Sequence, residues 1–369
     1  MIYLDNAATT MIKPLAVSRA MLNAMQTMAS PGRGAHEPAM RAAKTVFDCR
    51  REAAELFNVP EPEQIVFTMN ATHGLNIAIN SLVRPGMKVL VSGYEHNSVT
   101  RPLAEREAEI HVAASSVFDS EGMLAAFEKE LPNAELAVCT HVSNVFGFIL
   151  PIYDIARLCR ERGVPLIVDA SQSAGALDVD YGRLGADFIA MPGHKGLFGP
   201  QGTGILICSG ACKPLLSGGS GTDSIVQHMP DYLPDRLEAG THNVCGIAGL
   251  LEGIRFVRQK GIKEIFDHES GLLRRMVGQL QQVRGLELFT ENCRAQSGVL
   301  SLRAEKLNCE DLASALSDRG ICVRTGLHCS PYAHRSAGTL ESGTVRFSFS
   351  PFNTQEEVDI CCQFIKDLL

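Results

Sequence analysis

The stretch GHKGLFGPQGTG, residues 193–204, decides how the rest of the chain is read. A short apolar run, ADFIA at 186–190, comes just before it and has the composition of a buried strand. Lys195 then falls in a glycine-rich turn at a strand end, where α/β proteins place ligands. A lysine there reads either as a solvated surface group or as an amine set beside a bound molecule. The flanking glycines would let backbone approach a ligand closely, and His194 supplies a second polar group. Lysine amines form Schiff bases with carbonyl compounds when their pKa is lowered. A phosphate loop of the Walker type is excluded, because GxxxxGK[ST] does not occur in this segment.

Working outward, short β-rich runs alternate with helical patterns. Strands are expected at Gln64–Thr68, Lys88–Ser92, Ile110–Ala113, Glu135–Thr140, Pro165–Asp169, Phe188–Ala190 and Gly204–Ile207. Between them, Pro38–Phe57 carries an apolar face of period 3.6, Ala71–Leu82 follows a strand directly, and Pro151–Arg162 opens on a proline suited to a first helical turn. Such alternation predicts an α/β fold with a mainly parallel sheet covered on both faces. Beyond about residue 250 the texture changes. A long helix is expected over Ile254–Val283, then strands at Leu286–Phe289, Gly298–Leu302, Ile321–Arg324 and Thr344–Ser348. Thr354 and Glu357 have the spacing of a capping box, and Val358, Cys361, Cys362 and Ile365 form one apolar stripe behind it. The expected division is a large α/β domain, 15–250, and a smaller α+β domain made of 1–14 and 251–369.

Bulk properties narrow the function. The chain has 369 residues, 45% of them hydrophobic, enough for a sizeable core and about two domains. Net charge is −7, so no global basic field for nucleic acid or anionic lipid exists. The opening MIYLDNAATT lacks the apolar core of a signal peptide, and no apolar run reaches the ~18 residues of a membrane helix. A cytoplasmic location is expected, with no membrane and no nucleic-acid partner. Twelve cysteines occur without any CxxC spacing, which leaves no zinc motif; most read as small buried hydrophobes.

Several polar residues stand at strand ends. Asp169 closes the run before SQSAG, with Gln172 three residues on. Its carboxylate reads as a turn cap or as the partner of a cofactor's ring nitrogen. FTMNATHGLN, residues 67–76, joins a strand to a helix start, where free N–H groups and the dipole suit a phosphate. There Ala71 and Thr72 would donate, unless the segment is an ordinary Asn or Thr cap. His96 in GYEHNSV and Asn144 in THVSNVFG also follow strands. Residues 324–329 read Arg-Thr-Gly-Leu-His-Cys, so Cys329 has His328 and Arg324 nearby, and adjacent cations favour a thiolate. Arg346, in a strand, could grip a carboxylate through two parallel hydrogen bonds or form a structural ion pair.

Taken in order, these motifs resemble the class V aminotransferase family of fold-type I pyridoxal-phosphate (PLP) enzymes, over nearly the whole chain from Tyr3 to Asp359. The RTGLHC segment is similar to the RxGxHC pattern of group II cysteine desulfurases, the Suf-like and selenocysteine-lyase-like branch. The resemblance implies PLP held by Lys195, with Asp169 on its pyridine nitrogen and His96 stacked on its ring as a proton carrier. It implies Gln172 at the ring hydroxyl or imine, Ala71, Thr72 and His194 among the cofactor contacts, Asn144 on the substrate carboxylate or the ring oxygen of the cofactor, and Arg346 on the substrate carboxylate. Cys329 would take sulfur from L-cysteine as a persulfide, release L-alanine and pass the sulfur to an acceptor protein. YLDNAATT resembles the family's segment over the active-site mouth. LEAGTHN, 237–243, resembles the loop whose threonine reaches a neighbouring subunit's PLP phosphate, which makes Thr241 a cofactor residue in trans and implies a homodimer. One departure stands out: two residues before His194, where the group has a serine or threonine phosphate ligand, this chain has Pro192. The rival readings are a selenocysteine lyase acting on L-selenocysteine, and another class V enzyme lacking the RxGxHC cysteine. A dehydrogenase would need a GxGxxG that is not seen, and a sulfur or metal carrier would need ligand spacing that is absent.

Overall fold

A computed structural model of the chain describes residues 1–369 other than 33, 211 and 292–294. Cys293, one of the cysteines read as buried, lies outside the described residues. The chain opens with β1 (Ile2–Tyr3), α1 (Leu15–Thr27) and α2 (Glu37–Leu56). An alternating stretch follows: β2 (Ile65–Thr68), α3 (Ala71–Leu82), β3 (Lys88–Ser92), α4 (Asn97–Glu105), β4 (Glu109–Ala113), α5 (Ser120–Glu130) and β5 (Leu136–Thr140). It continues through α6 (Ile152–Arg162), β6 (Leu166–Asp169), α7 (Tyr181–Leu184), β7 (Phe188–Pro192) and β8 (Gly204–Cys208). The last third holds α8 (Val244–Lys260), α9 (Ile262–Leu280), β9 (Leu286–Phe289), β10 (Val299–Ala304) and α10 (Cys309–Asp318). It ends with β11 (Ile321–Cys322), β12 (Arg324–Gly326), α11 (Pro331–Ser336), β13 (Thr344–Ser348) and α12 (Gln355–Leu368).

Seven strands form one sheet in the order β2-β8-β7-β6-β5-β3-β4. The run β7-β6-β5-β3-β4 is parallel, whereas β8 is antiparallel to both of its neighbours. Side chains of β5, β6, β7 and β8 are buried throughout, which requires cover on both faces. Residues of α2, α5, α6 and α8 pack in one apolar cluster and those of α3 and α4 in another, so the sheet lies between two helical layers. The strand directions have one consequence for chemistry. The C-terminal ends of β2, β3, β5, β6 and β7 emerge at the same sheet edge; Asp169 is the last residue of β6, and Thr72, His96, Asn144 and Lys195 come shortly after the other ends.

A second, four-stranded sheet (β12-β13-β10-β9) packs against α9, α10 and α12 around a separate apolar core that also takes in Leu4. Two expectations are corrected here. The helix expected over 254–283 is two helices, because the chain bends at Gly261 with φ +89°, a conformation open to glycine. The strand expected over 321–324 is divided between sheets: Ile321 and Cys322 pair in parallel with Ile2 and Tyr3, while Arg324 begins the ladder to β13. At the last helix the capping box forms, with Thr354 Oγ1 accepting from Glu357 N and Glu357 Oε2 accepting from Thr354 N.

Candidate active site

A cavity of about 220 Å³ opens at the shared sheet edge. Lys195, Asp169, His96, Asn144, Cys329 and Arg346 line it. Ala71, Thr72, Gln172 and His194 complete the same wall, so every candidate residue except Thr241 meets here. A wider groove of about 930 Å³ runs along residues 214–236, but it holds none of these groups.

Asp169 ends β6 and Lys195 follows the neighbouring parallel strand β7, which brings their two turns together. Asp169 is 3% exposed; its Oδ1 accepts from Ser171 N at 2.9 Å, and its other oxygen has no protein partner among the described residues. The Lys195 amine has no hydrogen-bond or ion-pair partner there either. Burial pulls Lys195 down to about 8, against the opposing attraction of Asp169. An amine in that range is partly deprotonated near neutral pH and can act as nucleophile or base. The adjacent glycines have a different role from the one expected. A side chain at Gly196 would meet Ala174 O at 2.5 Å, and one at Gly175 would meet Gly196 O at 2.0 Å. They are glycines because the lysine turn packs directly on the SQSAG turn, not to admit a ligand.

At the other end of the cavity α3 begins. Asn70 caps it, its Oδ1 accepting from His73 N at 2.9 Å, which leaves the amides of Ala71 and Thr72 at the first turn without intrahelical partners. Thr72 Oγ1 lies 2.8 Å from Ser98 Oγ, and Ser98 Oγ lies 2.9 Å from His96 Nδ1. Ser98 also lines the cavity and was not singled out from the sequence. It places a hydroxyl beside the helix start, while Pro192, which also lines the cavity, has none.

His96 caps α4, its Nδ1 accepting from Ser98 N at 3.0 Å. Burial holds His96 and His194 down at about 4, so both rings are neutral at physiological pH. Beneath His96, Glu95 accepts from Ser92 Oγ and from Thr140 N at 2.8 Å, and burial pushes its carboxyl up to about 8. His194 Nδ1 pairs with Thr9 Oγ1 at 3.0 Å, and Gln172 Nε2 donates to Ala7 O at 2.9 Å. The segment YLDNAATT is thereby strapped across the cavity.

Cys329 is exposed at the mouth. Both His328 (φ +49°) and Cys329 (φ +57°) are left-handed, at a cost of roughly 1–2 kcal/mol each. The neighbourhood sustains that turn. Asn97 N donates to Cys329 O at 2.8 Å, Asn144 Nδ2 to His328 O at 2.8 Å, and Ser330 Oγ to Glu95 O at 2.9 Å. One expectation fails here. His328 is not a cation beside the thiol: it is 5% exposed, with Nε2 against Thr344 O at 3.2 Å, and burial pulls it down to about 2. Its neutral ring anchors the turn. Arg324, exposed on the cavity wall, and Arg346 are the cations near Cys329.

Arg346 is 2% exposed. Its Nη2 donates to Asp5 Oδ1 at 2.8 Å and its Nη1 to Asn144 O at 2.9 Å, while Nε is buried without a partner. Of the two sequence readings of this arginine the structural ion pair is formed, and Nε is left without an acceptor. Thr241 lies elsewhere, on the wall of a second cavity of about 220 Å³ together with His73, Glu238 and His242.

The class-V aminotransferase family model matches residues 2–361. The chain belongs to that family. A probable cysteine desulfurase of Methanothermobacter thermautotrophicus is 33% identical over 383 residues, covering all of this chain and 94% of that protein. The apo structure of a cysteine desulfurase from Thermococcus onnurineus superposes with a TM-score of 0.91 at 30% identity, over all of this chain and 94% of its own. The Escherichia coli cysteine desulfurase CsdA, in an S-sulfonic acid form, matches with a TM-score of 0.84 at 25% identity, over 99% of this chain and 94% of its own. The architecture is fold-type I, and class-V aminotransferases are PLP enzymes. The donor set fits that cofactor: an unpaired amine for its carbonyl, a free oxygen of Asp169 for its ring nitrogen, and the start of α3 for its phosphate.

Among the described cysteines, eight are buried and Cys245 and Cys322 half-buried. Burial pushes Cys159 and Cys362 up to about 12 and Cys49, Cys139 and Cys361 upward as well, which keeps them as inert thiols. Cys329 alone among the described cysteines is exposed.

Proposed function

We propose that this chain is a PLP-dependent cysteine desulfurase of the group II type, converting L-cysteine to L-alanine and retaining the sulfur on Cys329. The observation that carries this reading is that Lys195, Asp169 and an exposed thiol converge on one cavity. When bound, PLP supplies an electrophilic carbonyl and a protonated ring able to delocalise an electron pair from the substrate's Cα. The residues then divide the work. Asp169 keeps the ring nitrogen protonated. Arg346 and Asn144 hold the substrate carboxylate; the Nε of Arg346 has no protein acceptor. The Lys195 amine, lowered by burial, moves the α-proton. His96, neutral and with Nδ1 engaged, offers Nε2 for proton transfer near the ring. Cys329 Sγ attacks the substrate sulfur, the substrate Cβ–S bond breaks, the new S–S bond stays on Cys329, and the carbon product takes up a proton as alanine. Ser98 takes the place of the hydroxyl missing at Pro192.

The finer assignments share that basis. A protein acceptor collects the persulfide from the exposed Cys329. Thr241, remote from this cavity in its own chain, serves the phosphate of a second copy, so the working unit is a homodimer. The domain division falls near residue 250, within α8, with 1–14 joined to 251–369. A cytoplasmic setting suits a chain whose described cysteines are all unpaired. No helix among the described residues is long and apolar enough to cross a membrane.

Turnover of L-cysteine and L-selenocysteine, with alanine and released sulfide or selenide both measured, tests the proposal. Equimolar alanine and protein-bound or reductant-released sulfur from L-cysteine is the expected result. Alanine from L-selenocysteine alone would move the assignment to a selenocysteine lyase.

A further inference from the structure

The carboxylate end of the cavity has a charge pattern that a single arginine does not explain. β12 and β13 pair antiparallel with Arg324 directly opposite Arg346. Like charges in that register repel each other. One acid answers them: Asp5, whose Oδ1 accepts from Arg346 Nη2 at 2.8 Å across 341 residues of sequence. Asp5 is not held by this ion pair alone. Its backbone bridges Ser348, Ala7 N donates to Ser348 Oγ at 2.8 Å, and the Tyr3 hydroxyl donates to Thr9 O at 2.8 Å. On the far side of the guanidinium, Asn144 O takes Nη1. Two of the three nitrogens are thus tied to fixed acceptors, and the third, Nε, is buried and unpaired. Arg324 has no ion pair among the described residues. Two cations against one carboxylate leave the pair one negative charge short, and the buried Nε has no acceptor.

We infer that Asp5 is the positioning residue of the substrate-carboxylate site: it fixes the guanidinium plane of Arg346 so that Nε is kept free of protein acceptors, and it leaves the Arg324–Arg346 pair with the net charge of a single cation. A planar donor recognises a carboxylate through two parallel hydrogen bonds only if its plane is held. Without Asp5 the buried guanidinium would turn toward other acceptors, and two uncompensated arginines would face each other. The inference rests on reading Arg346 as the carboxylate grip.

The test compares L-alanine with ethylamine, the same amine without the carboxylate, binding to the PLP-loaded protein, by calorimetry. Asp5→Asn should weaken L-alanine by about 10- to 100-fold, the worth of a charge-assisted hydrogen bond, and spare ethylamine. The KM for L-cysteine should rise by more than kcat falls. In an Arg346→Leu background the same substitution should have no further effect on L-alanine, as coupled residues behave in a double-mutant cycle. Asp5→Glu keeps the charge but displaces it, and should give a smaller loss; it also serves if Asp5→Asn fails to fold. Equal losses for both ligands, tighter L-alanine binding, or an undiminished effect in the Arg346→Leu background would overturn the inference. An Arg346→Leu protein that binds L-alanine normally would instead sink the grip itself, which separates the two failures.

Discussion

Lys195 and Cys329 line one cavity and are both nucleophiles, yet the fold treats them in opposite ways. Lys195 sits at the end of a parallel strand in the large sheet, enclosed by protein, with an amine that burial brings down to about 8. Cys329 sits in the small sheet's territory, exposed, on a turn with two successive left-handed residues that are not glycine. The difference matches what the proposed function asks of each. An amine that bonds a cofactor gains from a dry wall, because desolvation removes its charge. A thiol that must receive sulfur and hand it on needs to reach both the substrate and the outside, and strain at such sites is a common accompaniment. Cys49, Cys139 and Cys159 show the alternative: burial pushes them up and silences them.

The largest effect separating the two regions should come from Lys195→Met. Loss of the attachment point and the base should lower alanine production by about 10⁴-fold, and borohydride reduction should no longer fix PLP to the chain. The same variant sharpens the burial argument in the cofactor-free protein. Lys195 titrates near 8 when folded against 10.5 when unfolded. Its folded pKa is depressed, so the unfolded chain binds more protons between those values, and stability rises with pH across that window. Below about pH 8 the buried charge costs the native protein up to about 3 kcal/mol, less with any water in the cavity. Urea denaturation at pH 7 should find Lys195→Met more stable, with the gain shrinking as pH rises toward 10.5. A gain independent of pH would mean that the amine is solvated.

The smallest effect belongs to the Cys329 side. Because His328 is neutral and hydrogen-bonded to Thr344, His328→Gln should leave the pH midpoint of Cys329 alkylation nearly unmoved. A clear upward shift would restore the imidazolium that the structure removes.

Much of the fold was legible because its signals are local. Apolar runs of four or five residues placed the strands of the large sheet to within one or two positions, and the Thr354–Glu357 spacing placed a cap. The reversed direction of β8 was not legible, since a strand's periodicity carries no sign. Nor was the division of 321–324, which depends on pairing with Ile2 and Tyr3 at the other end of the chain. The site divides similarly. Asp169, Lys195, His96 and Asn144 stand at or just after strand ends and could be found one at a time. Asp5 could not, because its partner stands 341 residues away. The charge of His328 was misjudged because neighbours in sequence reveal composition but not burial. Ser98 carries no signal of its own in the sequence, and its contact with Thr72 distinguishes it only in the fold.

The central claim is that the exposed Cys329, rather than any buried thiol, takes the sulfur. Incubation of the PLP-loaded protein with L-cysteine, rapid alkylation and peptide mass spectrometry measures this directly. The account predicts one additional sulfur on the peptide bearing Cys329, absent from the peptides of the other cysteines, and Cys329→Ala should bind L-cysteine without releasing alanine at the normal rate. The additional sulfur on a different cysteine, or undiminished alanine from Cys329→Ala, would contradict it.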